Sequence, residues 1–103
     1  MATTSKLREE ATKFLADVPE EYVFRCCDGG IFSNLQELKD GLESMTDESF
    51  ACHSNEEKND FSNWIRDVIG DEKLAGGLQK AVTRTEAAKQ VDSRVATLSK
   101  RLT

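Results

Sequence analysis

The chain has 103 residues, of which 38% are hydrophobic and 32% charged, with a formal net charge of -5. That length fits one domain able to close a core without disulfides or a structural metal. The acidity argues against a nucleic-acid protein, and no apolar run reaches the length of a signal peptide core or a membrane span, so a cytoplasmic protein without a membrane is expected. Three cysteines, two of them adjacent, do not make a disulfide framework and suit a reducing compartment.

Residues 4 to 17 read as a helix, with Leu7, Ala11, Phe14, Leu15 and Val18 on one side and Pro19 ending it. Tyr22 to Cys27 is rich in β-formers and runs into the turn Asp28-Gly29-Gly30, which predicts a strand. Ser33 or Asn34 can cap a second helix bearing the stripe Leu35, Leu38, Leu42 and Met45. After a turn at Thr46-Asp47-Glu48, Ser49 to His53 reads as a second short strand. Two strands flanking a helix would be parallel through a right-handed crossover.

The third helix, residues 55 to 69, is predicted from Phe61, Trp64, Ile65, Val68 and Ile69, with Ser54 or Asn55 as cap and Gly70 as stop. Asp71 can cap a fourth helix with Leu74, Leu78 and Ala81 on one side. From residue 88 the stripe becomes Ala88, Val91, Val95, Leu98 and Leu102, rotated by about 80° on a continuous helix. The sequence Thr83-Arg84-Thr85-Glu86 matches a capping box, so a break is expected there, with a last helix over 84–102. The expected fold is α+β and mostly helical: four to five helices, a minimal two-stranded sheet and a C-terminal helical arm. Residues 1–75 would form the compact domain and 76–103 a bent arm.

Charge divides in the same place. Residues 1–75 hold eight Lys/Arg against seventeen Asp/Glu, and residues 76–103 hold six against two. The arm's seam is narrow, as in a coiled-coil strand, and would be left for a partner. Gly76-Gly77 in a helical stretch implies either close helix contact or a hinge.

Asn59, Asp60, Asn63 and Asp67 are poor helix formers with directional side chains, which suggests a role beyond helicity, either bracing of loops or recognition of a partner. Cys26, Cys27, Cys52 and His53 suggest a zinc site. Against it, adjacent strand residues point to opposite faces, and no Cys-x-x-Cys pair exists. His53 lacks a nucleophile in a recognisable turn. Neither metal, cofactor nor catalytic residue is therefore expected.

The residues Pro19-Glu20-Glu21-Tyr22-Val23-Phe24, Asp28-Gly29, Asn34-Leu35-x-Glu37-Leu38, Met45-x-Asp47-x-x-Phe50, His53-x-Asn55 and Lys58-Asn59-Asp60-Phe61-x-Asn63-Trp64-Ile65 carry a resemblance. They resemble a small family of prokaryotic, largely archaeal, domains that carries no assigned function, with a Lys-Asn-Asp-Phe-x-x-Trp-Ile core. The likeness covers residues 17 to 75 and implies a recurring fold unit, with no substrate, cofactor or catalytic residue to transfer.

The functional expectation is a non-catalytic cytoplasmic interaction module, an adaptor or regulatory subunit, binding another protein or an assembly. Its partner-binding residues would be Asn59, Asn63 and Arg66 on the third helix and Val91, Arg94, Val95, Leu98, Arg101 and Leu102 on the arm. The arm's seam would also serve a homodimer, and its cations an RNA contact that weakens steeply with salt. The alternative is a small anionic-ligand or enzyme site made of His53, Asn55, Lys58, Asn59 and Arg66.

Overall fold

A computed structural model describes the backbone of residues 2–102 and the side chains of residues 6–102. In chain order the elements are α1 (Ala2–Leu15), a 3-10 turn (Glu20–Tyr22), β1 (Phe24–Arg25), β2 (Ile31–Phe32), α2 (Leu35–Ser44) and α3 (Asp47–His53). Then come α4 (Asp60–Trp64), which continues as a π-helical turn (Ile65–Ile69), α5 (Glu72–Lys80) and α6 (Arg84–Lys100). The fold is mostly helical α+β, as expected, with six helices among the described residues instead of four or five.

The sheet differs from the expectation. β1 pairs antiparallel with β2, placing Phe24 opposite Phe32 and Arg25 opposite Ile31. Phe24 and Phe32 are buried, so Arg25 and Ile31 take the outward face of the pleat. The turn between them is closed by the Cys26 N–H on the Gly30 carbonyl (2.8 Å) and the Gly29 N–H on the Cys26 carbonyl (3.0 Å). Gly29 has φ +95°, which a residue with a Cβ adopts only with strain, and this is the three-residue hairpin geometry that a glycine permits.

The segment Ser49–His53, expected as a strand, lies within α3. The hydroxyl of Thr46 accepts from the Ser49 N–H, and Asp47 and Glu48 occupy the positive first turn. These local terms outweigh the β preference of Phe50 and Cys52. The third helix begins at Asp60, later than expected, because Ser54 bridges Asn59 across a tight loop and Asn59 is the cap.

The other caps lie where the sequence placed them: Asn34 accepts from the Glu37 N–H, Asp71 from Leu74 and Thr83 from Glu86. Gly70 ends the third helix. In α2, Gly41 is required for another reason, since a Cβ there would lie 2.2 Å from the Phe32 ring. Its absence lets the hairpin press flat on the helix.

The expectation of a free C-terminal arm is overturned by the packing of α6. The division at residue 76 falls inside α5, and α6 packs on α2, α1 and α5. Val91 and Leu98 are fully buried and Val95 is half-buried against the same core; Leu102 stays open, 40% exposed. The physical reason lies in α2, whose Leu35, Leu38 and Leu42 are all fully buried and need a cover that α1 and the hairpin alone do not give.

Arg84, the first residue of α6, donates to the carbonyls of Leu42 (2.8 Å) and Glu43 (3.0 Å) at the end of α2 and pairs with Asp47. A Cβ at Gly77 would lie 2.8 Å from Oε1 of the exposed Gln90, a flexible side chain that can move aside, and one at Gly76 would meet nothing within 4 Å, so close α5–α6 contact does not require either glycine. Replacing Leu98 by Ala is expected to cost about 3 kcal/mol of unfolding free energy in urea. Leu102→Ala should change it by no more than about 0.5 kcal/mol. Equal effects would contradict this packing.

Candidate functional site

The polar side chains of the third helix are largely occupied within the fold. Asn59 accepts from the Ser62 N–H (3.0 Å) through its carbonyl and donates to the Leu78 carbonyl (3.0 Å) through its amide. Ser62, fully buried, donates to the Ala75 carbonyl at 2.7 Å. Two side chains thus bind α4 to α5 through carbonyls of its later turns. Trp64 donates its indole N–H to the Tyr22 carbonyl at 2.7 Å, fixing the 3-10 turn. Asn63 is exposed, and Arg66 lies on the surface with its guanidinium on Asp67 at 2.9 and 3.2 Å.

The expected partner-binding residues of α6 are not gathered on one open surface. Arg94 makes a two-pronged ion pair with the buried Asp71 (2.7 and 3.2 Å), the residue that also caps α5. Arg101 lies 3.7 Å from Glu10 of α1, with a buried Nη1 beyond hydrogen-bond length of any described partner. Val91 and Leu98 are core.

The alternative ligand set is likewise divided. Asn55, Lys58 and Asn59 line a groove of about 510 Å³ together with Gln79, Ala81 and Val82. His53 and Arg66 do not contribute to it. Glu56 and Glu57 line the groove as well as Lys58, so an anion entering there would meet two carboxylates for one ammonium.

A tighter constellation lies behind the hairpin turn. The Sγ atoms of Cys26 and Cys27 and a ring nitrogen of His53 all lie within 4.8 Å of one another. The sequence-based objection assumed that both cysteines belong to a strand, but β1 ends at Arg25. Cys26 is the last inward-facing residue, following Phe24 at a spacing of two, and is buried. Cys27 is exposed, yet the turn brings its thiol round to the same place.

His53, at the end of α3, packs edge-on to Phe24 (5.0 Å) and Phe61 (5.5 Å). Its Nδ1 lies 3.0 Å from Asp60 Oδ2, and its Nε2 accepts the Cys27 backbone N–H at 3.0 Å. That arrangement holds the tautomer with the proton on Nδ1. Lys58 adds an ammonium 3.2 Å from the same Asp60 oxygen.

Burial pushes the Cys26 thiol above its ordinary pKa, and a hydrogen bond with Cys27 does the same to Cys52. The Gly30 N–H holds Asp28 below the usual carboxylate range. For Asp60, burial acts upward, but the bonds from His53 and Lys58 outweigh it and the pKa falls. The order Asp60, His53, Cys27 has the outline of a nucleophilic triad. However, the imidazole holds the amide of Cys27, and the thiol donates to the Ser49 carbonyl at 3.8 Å, so in this arrangement the imidazole does not take the thiol proton.

Sequence reasoning missed the convergence of these thiols with His53 because it depends on where the strand stops. The signal was the Asp28-Gly29-Gly30 run, which sets that turn. Compared with known proteins, the chain matches no family model, no curated protein and no solved structure.

Because the native pKa of Asp60 lies below its unfolded value of about 4, its contribution to stability is present above that pH. It is lost as the pH falls through the native value. Asp60→Asn is expected to lower stability by about 1 kcal/mol at pH 7. The gap from the parent should close in acid unfolding titrations below about pH 4; a gap constant with pH would contradict the assignment.

Proposed function

We propose that the chain is a non-catalytic interaction module of the cytoplasm, which binds another protein through the outward side of the hairpin and the 3-10 turn before it. The observation that carries this reading is a pair of large exposed side chains, one of which, Ile31, lines a shallow depression. Tyr22 is 56% and Ile31 53% exposed. The depression, about 270 Å³, is lined by Val18, Val23, Arg25 and Ile31, with Asp17 and Glu20 at its rim. An open apolar surface rimmed by charge suits a partner that offers an apolar side chain flanked by Lys or Arg.

The acidic excess of residues 1–75 favours the same partner chemistry. Trp64 fastens Tyr22 to α4, and Asn63 on α4 and Arg66 on the π-helical turn after it are exposed. Free thiols and the lack, among the described residues, of any helix long and apolar enough to cross a membrane accord with this setting. The homodimer reading loses the inner part of its seam, and the RNA reading three of the six cations of residues 76–103. The seam is buried at Val91 and Leu98, and Arg84, Arg94 and Arg101 all face carboxylates of the same chain.

Affinity capture should be run with the parent chain, with the double variant Tyr22→Ala/Ile31→Asp, and with Val82→Asp as a control on a different exposed apolar residue. A protein retained by the parent and the control but reduced about tenfold with the double variant supports the reading, since that loss corresponds to about 1.4 kcal/mol. Equal retention by all three would contradict it.

A further inference from the structure

We propose that Cys26, Cys27 and His53 form a three-donor binding site for a thiophilic d10 cation, zinc(II). This site is independent of the docking surface above. Its three donors lie within 4.8 Å of one another. Thiolates about 2.3 Å from a tetrahedral zinc stand roughly 3.8 Å apart, so closing the site takes side-chain shifts on the order of 1 Å. Cys52, the residue before His53 on α3, lies outside this group, so the fourth tetrahedral position is left to solvent. The donor set is two sulfurs and one imidazole, a combination found in zinc sites that keep one open position.

Two further observations point to a ligand role. The His53 ring nitrogen away from the thiols is held by Asp60 at 3.0 Å, the carboxylate–histidine arrangement that orients imidazoles on metals. Asp60 is in turn held by Lys58 at 3.2 Å, which balances the charge of the carboxylate behind the imidazole. Binding releases the thiol protons to solvent, so apparent affinity increases with pH. The ion also takes the Nε2 lone pair from the Cys27 amide, which makes that amide a direct reporter of occupancy.

The reduced, chelator-treated full-length chain should be titrated with cobalt(II) and then zinc(II). We expect one equivalent of cobalt to give thiolate charge-transfer absorption in the near ultraviolet and the visible bands of a tetrahedral ion, with zinc abolishing both. The Cys27 amide resonance should move with the same stoichiometry. Cys27→Ser, at an exposed position, should leave the helical circular dichroism unchanged and weaken cobalt binding at least tenfold. Asp60→Asn should weaken it by roughly 10- to 100-fold. Lack of charge-transfer absorption with equimolar cobalt, or equal absorption in Cys27→Ser, would overturn the site and leave His53 as a brace between α4 and the hairpin turn.

Discussion

The contact of α6 with α2 is the constraint from which the other contacts follow. α2 carries three fully buried leucines, and the layer that covers them includes Val91 and Leu98, also fully buried. With that layer in place, Arg84 reaches the carbonyl end of α2, Arg94 reaches Asp71 at the start of α5, and Lys39 of α2 lies between Glu43 and Asp92. Asp71 is a cap and an ion-pair partner at once, so the end of one helix and the middle of another are fixed by one buried carboxylate. Losing the arginine alone would strand that carboxylate, which is why such pairs hold position more than they add stability.

The other side of α2 supports the hairpin. Phe32 lies over Gly41, Phe24 stacks near Phe32 and Phe61, and Phe61 meets Phe50 of α3. This aromatic group explains how a two-stranded sheet of two residues per strand persists, since its stability comes from packing on helices and not from its few ladder bonds. It also places His53 and Cys26 side by side at the edge of the core. Two of the four directional residues of the third helix act in bracing, since Asn59, with Ser62, binds α5 and Asp60 orients His53, while Asn63 and Asp67 stay on the surface; Trp64 binds the 3-10 turn. The thiols are different in kind, because burial of Cys26 and the contacts of Cys27 do not by themselves require sulfur on adjacent residues.

Capping was the part of this fold most legible in the sequence. Asn34, Asp71, Thr83 and Gly70 all mark helix ends, because short polar side chains and glycine act within one turn of chain. The core stripe of the third helix was legible for the same reason of periodicity, with Phe61, Trp64, Ile65 and Ile69 buried. β2 was not, since two residues carry no period. α3 was mistaken for a strand because Phe50 and Cys52 favour extended chain, whereas the capping hydroxyl of Thr46 sits in a segment that also reads as a turn. The role of α6 was hidden by composition: a narrow apolar seam on a basic helix looks the same whether its cover lies in the same chain or in another. The exposed pair Tyr22 and Ile31 was equally hidden, because Tyr22 reads as the start of a strand but lies in a 3-10 turn, and Ile31 belongs to a strand too short to show a period.

Native-state hydrogen exchange on the full chain tests most directly whether α6 belongs to the cooperative core. The slowest amides of α6, around Val91 and Leu98, are expected to exchange with the same opening free energy as those of α2 around Leu38 and Leu42, and with the same denaturant dependence. Amides of α6 that open at several kcal/mol lower free energy than α2, while α2 stays protected, would show a separable arm and contradict the account.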